Sequence, residues 1–189
     1  MEVGDGWFEV TKGTGSIASK DEFADAQVHI EWREPEDVKG EGQERGNSGV
    51  YVMGLYELQV LDSAGTETYP DGMAGGIYGQ YPPLVNATRP AGQWNVYDIV
   101  FHAPKLDAEG KVISPARMTA LFNGVLVQDN MELIGPTMHH ALATYPAKHP
   151  EKGPIVLQDH GNPVRYRNVW VRSLGERPAP PVKPARAGG

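Results

Sequence analysis

The chain has 189 residues, a net charge of −7, no cysteine, and an abundance of Gly and Pro (23 and 16 residues). The length fits one domain with its own core, and the acidic balance without a Lys/Arg stripe argues against a nucleic-acid binder. Without cysteine there are no disulfides or thiolate chemistry, and no apolar run is long enough for a membrane span. The many Gly and Pro residues favour short strands joined by turns over long helices.

The N-terminal part of the chain alternates short apolar runs with turns. We predict that residues 1–6 are disordered, and acidic and Gly-rich residues follow Met1, so no signal peptide is visible. Strands are predicted over residues 7–10, 16–20 and 23–33. In the last of these, apolar residues alternate with His29, Glu31 and Arg33. This pattern predicts one buried face and one polar face.

Residues 45–62 are the most informative stretch, with a turn, a strand, a tight turn at Gly54 and a second strand. In the second strand, apolar residues alternate with Glu57 and Gln59. A carboxylate beside an amide on a strand face is typical of a ligand groove, although a solvated, half-exposed strand would read the same way. Asp62 is an odd number of residues from Glu57, so the two share a face only if a bulge intervenes.

The rest of the chain continues the strand pattern around two long loops. Residues 62–92 contain many Gly and Pro residues, and a loop of this length suggests a functional role in which Tyr78 stacks on a sugar or packs the loop onto the body. In the second loop, the adjacent residues His139 and His140 could ligate a metal. The predicted strands are residues 94–103, 116–122, 125–128, 155–160 and 164–174, with an Asn-Gly hairpin turn at 123–124 and a disordered Pro/Ala-rich tail at 175–189.

Short strands at regular spacing predict an all-β fold, a jelly-roll sandwich of two antiparallel sheets over residues 7–174 with a concave groove. The candidates for the groove are polar residues at alternating strand positions. Carboxylates, amides and arginines match the hydroxyl pattern of a sugar. The candidates are His29, Glu31, Arg33, Glu57, Gln59, Asn95, Gln158, His160, Arg165 and Arg167.

Six motifs in this sequence resemble the 3-keto-disaccharide hydrolase family. They are RGNSGV (45–50), YELQVLD (56–62), GQWNVY (92–97), NGV (123–125), GPIVLQDHG (153–161) and VRYRNVW (164–170). The resemblance covers residues 7–174. It implies a concanavalin-like jelly roll related to lectins and glucanases, a carbohydrate substrate oxidised to a ketone at C3, and export by bacteria to the periplasm or the medium.

A weaker similarity argues against simple glucan hydrolysis. Retaining glucanases of this fold carry a Glu-x-Asp-x-x-Glu strand, whereas this sequence has Glu57-x-Gln59-x-x-Asp62. Double displacement requires two carboxyl groups about 5 Å apart. The middle carboxylate is an amide here and the last is shorter, so that pattern is damaged.

A 3-keto sugar permits a different reaction, because the ketone acidifies the hydrogen on C2. A base removes this hydrogen, the C1 substituent leaves by elimination, and addition of water completes a net hydrolysis. Glu57 or His160 could be the base, and Arg165, Arg167 or a divalent cation could stabilise the enolate, with Asp62 as a candidate metal ligand. The candidate substrate-binding residues are His29, Glu31, Arg45, Asn47, Gln59, Tyr78, Asn95 and Gln158. A non-catalytic lectin-like module and a conventional glucanase are the alternatives.

Overall fold

The computed structural model describes residues 2–139 and 141–175, and regular structure in these ranges is almost entirely β-strand. The strands are β1 (Glu2–Gly4), β2 (Trp7–Glu9), β3 (Ile17–Phe23), β4 (Ala26–Arg33), β5 (Ser48–Val52), β6 (Tyr56–Val60), β7 (Asn95–His102), β8 (Lys105–Leu106), β9 (Val112–Ser114), β10 (Arg117–Phe122), β11 (Val125–Glu132), β12 (Gly153–Leu157) and β13 (Arg165–Ser173). Two short 3-10 turns occupy Gly42–Glu44 and Pro70–Gly72. None of the described helical segments is long and apolar enough to cross a membrane.

The strands form two antiparallel sheets that pack face to face. The seven-stranded sheet has the order β1-β2-β13-β4-β7-β10-β11, and the four-stranded sheet has the order β3-β12-β5-β6. A ribbon of β8 and β9 is separate from both. The predicted all-β sandwich is therefore confirmed.

The core lies between the sheets and is built by strict alternation. Along β4, every second residue from Ala26 to Trp32 is fully buried, and β7 and β10 alternate in the same way. Trp32, Tyr97 and Phe122 form an aromatic centre, with ring centroids 5.5 Å apart for the first two and 4.7 Å apart for the last two. Such buried aromatic contacts are a main source of stability in a sandwich core.

The hairpin of β5 and β6 carries the residues of greatest interest. Its turn has positive φ at Met53 and Gly54 (56° and 65°), a conformation that glycine adopts without strain. Tyr51 pairs with Glu57, and Gly49 pairs with Gln59, with no shift of register along the hairpin. Since there is no bulge, Asp62 does not share the outward face of Glu57.

Three sequence predictions need correction or fall outside the described residues. Residues 2–4 are not disordered but form β1, which pairs antiparallel with β2. The strand predicted over 23–33 begins only at Ala26, as β4, because Phe23 ends β3 of the other sheet and the chain bends at residues 24–25, where the Asp25 carboxylate accepts a hydrogen bond from the Ala103 amide (2.8 Å). The tail from residue 176 onward, like His140, lies outside the described residues.

The long loop after β6 folds back along that strand. The backbone N–H of Gln59 donates to the backbone carbonyl of Gly76 (2.9 Å), and the backbone N–H of Gly75 donates to the backbone carbonyl of Gln59 (3.0 Å). The Tyr78 amide donates to the Glu57 carbonyl (3.2 Å). The loop thus extends the four-stranded sheet beyond β6 and places Tyr78 beside Glu57.

Candidate active site

A small cavity of about 60 Å³ opens on the outer face of the four-stranded sheet. Its walls are amides, two histidines, a tyrosine and a carboxylate. The lining residues are Gln43, Asn47, Glu57, Gln59, Tyr78, His139, Gln158 and His160. Since this volume is close to that of two water molecules, a sugar would place one edge in it and lie across its mouth.

Several elements deliver these side chains to one place. Glu57 and Gln59 are the outward residues of β6, and Gln158 and His160 follow the end of β12. The loop after β11 is tied to the same strand, because the Glu57 amide donates to the Thr137 hydroxyl (2.9 Å). This contact explains why His139, two residues later, reaches the cavity.

Glu57 is the chemically distinctive residue of the cavity. Its side chain is buried, and the Tyr51 hydroxyl donates a hydrogen bond of 2.8 Å to Oε2. Burial raises the pKa of Glu57 to about 7, and the hydrogen bond from Tyr51 opposes that rise. A carboxyl group with a pKa near neutrality can accept or release a proton under ordinary conditions.

The amides around Glu57 use their N–H groups on one another and on the backbone. Gln59 Nε2 donates to Gln43 Oε1 (2.9 Å), and Asn47 Nδ2 donates to the Gln43 carbonyl (2.6 Å). In contrast, Gln158 Oε1 is buried and has no hydrogen-bond partner among the described residues. The floor of the cavity therefore offers a free acceptor, which suits a hydroxyl group of a sugar.

An aromatic row borders the cavity. The Tyr78 and Tyr69 hydroxyls are 2.6 Å apart, and the Tyr78 and His139 ring centroids are 5.1 Å apart. Tyr69 is 44% exposed, so the row extends from the cavity to solvent. Flat, exposed rings of this kind are suited to stacking against the apolar face of a sugar.

Six of the sequence candidates meet in this cavity: Asn47, Glu57, Gln59, Tyr78, Gln158 and His160. They come from β6, from the segments just before β5 and just after β12, and from the loop after β6. The expectation that Glu57 and Gln158 share one cleft therefore agrees with the geometry.

Five other candidates lie on the opposite outer face, that of the seven-stranded sheet, and do not reach the cavity. They are His29, Glu31, Arg33, Arg165 and Arg167. Inward neighbours such as Tyr166 are buried in the core, so these side chains point away from the four-stranded sheet. Placing them in one groove with Glu57 was wrong, because alternation identifies a polar face without identifying which sheet presents it.

On that opposite face the charged residues pair with each other. His29 Nδ1 lies 2.7 Å from Asp98 Oδ1, and Arg167 Nε donates to Glu31 Oε2 at 2.6 Å. Burial acts in the opposite direction, but hydrogen bonds from Asn168 and Arg167 lower the pKa of Glu31. This carboxylate is thus held in its charged form by protein partners.

Three further candidates have structural roles. Arg45 Nε donates to Asp62 Oδ2 (2.6 Å), while Asp62 Oδ1 accepts from the Gly65 amide (3.1 Å). Asn95 is buried, and its Oδ1 accepts from the Arg89 amide (3.0 Å). Arg45, Asp62 and Asn95 are therefore not placed for substrate or for a metal in the cavity, and the described ranges contain no group of three or more His, Cys, Asp or Glu side chains that could hold a metal ion.

Sequence reasoning missed Tyr51, Gln43 and the position of His139. Tyr51 could have been found from the hairpin, because a turn centred on Gly54 puts residue 51 opposite residue 57. No local signal marks Gln43, which reaches the cavity from a 3-10 turn. The sequence suggests His139 only as half of a metal-binding pair with His140.

The chain is similar to a known protein family and to several solved structures. The family model described as "3-keto-alpha-glucoside-1,2-lyase-like domain" matches residues 2–172. A crystal structure from Parabacteroides distasonis ATCC 8503, named "putative glycosyl hydrolase", is 43% identical with a TM-score of 0.87, covering 92% of this chain and 74% of that one. No curated protein matches the chain.

Two more distant structures from the same organism carry the same printed name. One is 23% identical with a TM-score of 0.65, covering 90% of this chain and 88% of that chain. The other is 20% identical with a TM-score of 0.61, covering 92% and 83%. At these identities the likeness shows the fold.

Proposed function

We propose, since the chain belongs to the 3-keto-alpha-glucoside-1,2-lyase-like family, that it cleaves 3-keto-glycosides by removing the hydrogen on C2. The family match and the 43% identical relative support an enzyme of the glycoside hydrolase type. The observation that carries the finer proposal is Glu57, a buried carboxyl group with a pKa near 7 in a cavity of amides and histidines.

In the proposed reaction, Glu57 takes the proton from C2, and the electrons of the C–H bond move into an enolate on the C3 oxygen. The C1–O bond then breaks, the leaving oxygen gains a proton, and a C1=C2 double bond forms beside the restored ketone. Water can add its oxygen to C1 and a proton to C2, which gives net hydrolysis. The ketone is essential, because a side-chain base cannot remove an unactivated C2 hydrogen.

The developing enolate oxygen needs a hydrogen-bond donor or a positive charge. Arg165 and Arg167 are too far away on the opposite face, so we assign this role to His139 or His160, which line the cavity with Glu57. A divalent cation stays an alternative proposal. Exhaustive chelation followed by elemental analysis distinguishes the two, since histidine donors predict unchanged turnover in metal-free protein.

The remaining polar groups suit a neutral sugar. Gln158 Oε1 can accept a hydroxyl hydrogen, and the row of Tyr69, Tyr78 and His139 can stack on a sugar ring. Among the described residues lining the cavity, Glu57 is the one carboxylate. A conventional retaining glucanase would need a second, about 5 Å away, so the geometry favours elimination.

The test is a comparison of two substrates that differ only at C3. Purified protein is incubated with a 3-keto-glucoside and with the unoxidised glucoside, and the released aglycone is measured. We expect release from the keto-glucoside alone. Equal release from both would contradict the proposed role of the ketone, and binding without release from either would favour a lectin-like module. Export from the bacterial cell, which the family resemblance suggests, is a separate proposal that cell fractionation tests.

A further inference from the structure

Tyr51 stands directly opposite Glu57 on the neighbouring strand of the hairpin. Its hydroxyl donates to Glu57 Oε2 at 2.8 Å, and no other side-chain donor to this carboxylate occurs within the described part of the chain. The other oxygen, Oε1, is therefore left without a side-chain donor. Tyr51 does not appear among the residues that line the cavity, so it contacts the carboxylate from behind.

The direction of this hydrogen bond follows from counting protons. Burial, followed by the nearby Glu57 charge, raises the pKa of Tyr51 well above its ordinary value, so the phenol keeps its single proton. When Glu57 is ionised, that proton goes to Oε2. Gln158 Nε2, 3.3 Å from the Tyr51 hydroxyl, must then donate to the phenol oxygen, which turns Gln158 Oε1 away from Tyr51.

Gly49 supplies the space in which Oε1 lies. A Cβ atom at residue 49 would collide with Glu57 Oε1 and would stand 3.0 Å from Glu57 Cδ. The carboxylate thus has a hydroxyl group on one oxygen and bare backbone beside the other. A partial rotation of the carboxylate about its last bond would break the Tyr51 hydrogen bond, and a half-turn only exchanges the two oxygens, so one oxygen accepts from Tyr51 while the other lies beside Gly49.

We propose that Tyr51 is a positioning residue, which holds Glu57 by Oε2 and makes Oε1 the atom that takes the C2 proton. This inference rests on the proposed function. It extends that function by one residue, Tyr51, and by the identity of the oxygen that takes the proton. It has a consequence that packing alone would not produce. Removing the hydroxyl leaves Glu57 buried but takes away the donor that favours its charged form, so the pKa of Glu57 rises.

The experiment uses Tyr51→Phe in the full chain, with Tyr81→Phe as a matched control because Tyr81 does not line the cavity. The pKa of Glu57 is measured by NMR titration of ¹³C-labelled glutamate carboxyl groups, with the signal assigned through Glu57→Gln. We expect Tyr51→Phe to raise this pKa by about one unit and Tyr81→Phe to leave it unchanged. An unchanged value in Tyr51→Phe overturns the proposal.

The pH dependence of kcat/KM on a 3-keto-glucoside provides the second readout. In Tyr51→Phe, the acid limb should move to higher pH by the same amount, and the plateau should fall roughly 10- to 100-fold because the base is less well oriented. A lower plateau with an unmoved acid limb would mean that Tyr51 is merely structural. If wild-type protein releases no aglycone, the proposed function fails, while the NMR titration still decides the Tyr51–Glu57 contact.

A non-natural residue keeps the proposal testable if Tyr51→Phe does not fold. Fluorinated tyrosine at position 51 has nearly the shape of tyrosine but is a more acidic phenol and a stronger donor. It should lower the pKa of Glu57, the opposite of the effect of phenylalanine. A shift in the same direction for both replacements, or none for the fluorinated residue, would contradict the proposal.

Discussion

The two outer faces of the sandwich carry the same kinds of polar side chain and differ in how these are paired. On the seven-stranded sheet, Glu31 is held by Arg167 and Asn168, and His29 is held by Asp98. On the four-stranded sheet, Glu57 is more deeply buried, and a single hydroxyl group holds one of its oxygens. Polar alternation on a strand is therefore common to both faces, whereas an incompletely paired carboxylate beside a cavity distinguishes the candidate site.

The largest difference between the faces should appear on removing one carboxylate from each. Glu57→Gln keeps the shape and removes the base, so turnover of a 3-keto-glucoside should fall by roughly two to four orders of magnitude. Glu31→Gln is the matched control and should stay within about threefold of wild type, since it touches no cavity residue. An active Glu57→Gln enzyme, or equal losses in both variants, would remove the distinction between the faces.

A smaller loss of activity should follow when the Glu57 carboxylate is kept but is displaced by an added atom beside it. The Cβ atom of Gly49→Ala would collide with Oε1 and displace the base from its position. We expect a roughly 10- to 100-fold lower kcat, as displacements of about 1 Å produce in other enzymes. Thermal unfolding measured alongside shows whether the protein is folded, and a folded variant with full activity would contradict the position assigned to Oε1.

The value of kcat/KM should change about tenfold with pH, because Glu57 must be ionised to act as a base. Burial raises the pKa of Glu57 to about 7, and a base acts in its ionised form, so kcat/KM should rise with pH through this value and then level off. The gain from pH 6 to pH 8 should be about tenfold. A rate that falls with rising pH over this range would indicate that Glu57 acts in its protonated form instead.

Glu34 sharpens the comparison, because it shows that burial alone does not make a site. Glu34, which directly follows β4, is fully buried, and burial raises its pKa to about 8, yet it lines no part of the cavity. The folded state holds this proton more tightly than the unfolded state, so stability should decrease as pH rises from about 4.5 to 8. The free energy of unfolding of Glu34→Gln, relative to that of the wild type, should therefore increase by about 2–4 kcal/mol as the pH is raised from 5 to 8.

Urea unfolding at both pH values measures this gain, and activity at pH 7 should stay within about twofold of wild type. A parallel pH dependence of stability in the variant and the wild type would show that Glu34 is not the group responsible. A large loss of activity in a folded Glu34→Gln protein would instead connect this carboxyl group to the site.

The sequence predicts the architecture well because strand alternation and turns are local signals. The alternating burial of β4 and the Asn123-Gly124 turn, where φ is positive at both residues, appear as expected, whereas all five residues of β6 are buried. The weak points were short elements whose pairing is not local. β1 is only three residues long, and its partner strand β2 supplies the hydrogen bonds that define it.

The site was harder to predict because it depends on which sheet each strand joins. Glu57 and Gln158 were placed together correctly, since both flank β5 in the four-stranded sheet. Arg167 looked equally suitable from its alternation, but β13 joins the other sheet. Arg45 and Asp62 pair with each other over 17 residues of sequence, a contact for which charge and spacing give no unique prediction.

The fate of the C2 hydrogen tests the central claim most directly. A 3-keto-glucoside carrying deuterium at C2 is incubated with enzyme in ordinary water, and product and recovered substrate are examined by mass spectrometry, with an enzyme-free sample to measure spontaneous exchange. Abstraction by Glu57 predicts that the product loses its C2 deuterium, that the reaction is slower than with the protium substrate, and that Glu31→Gln behaves as wild type. Product that retains its deuterium at C2 would contradict proton abstraction and indicate displacement at C1.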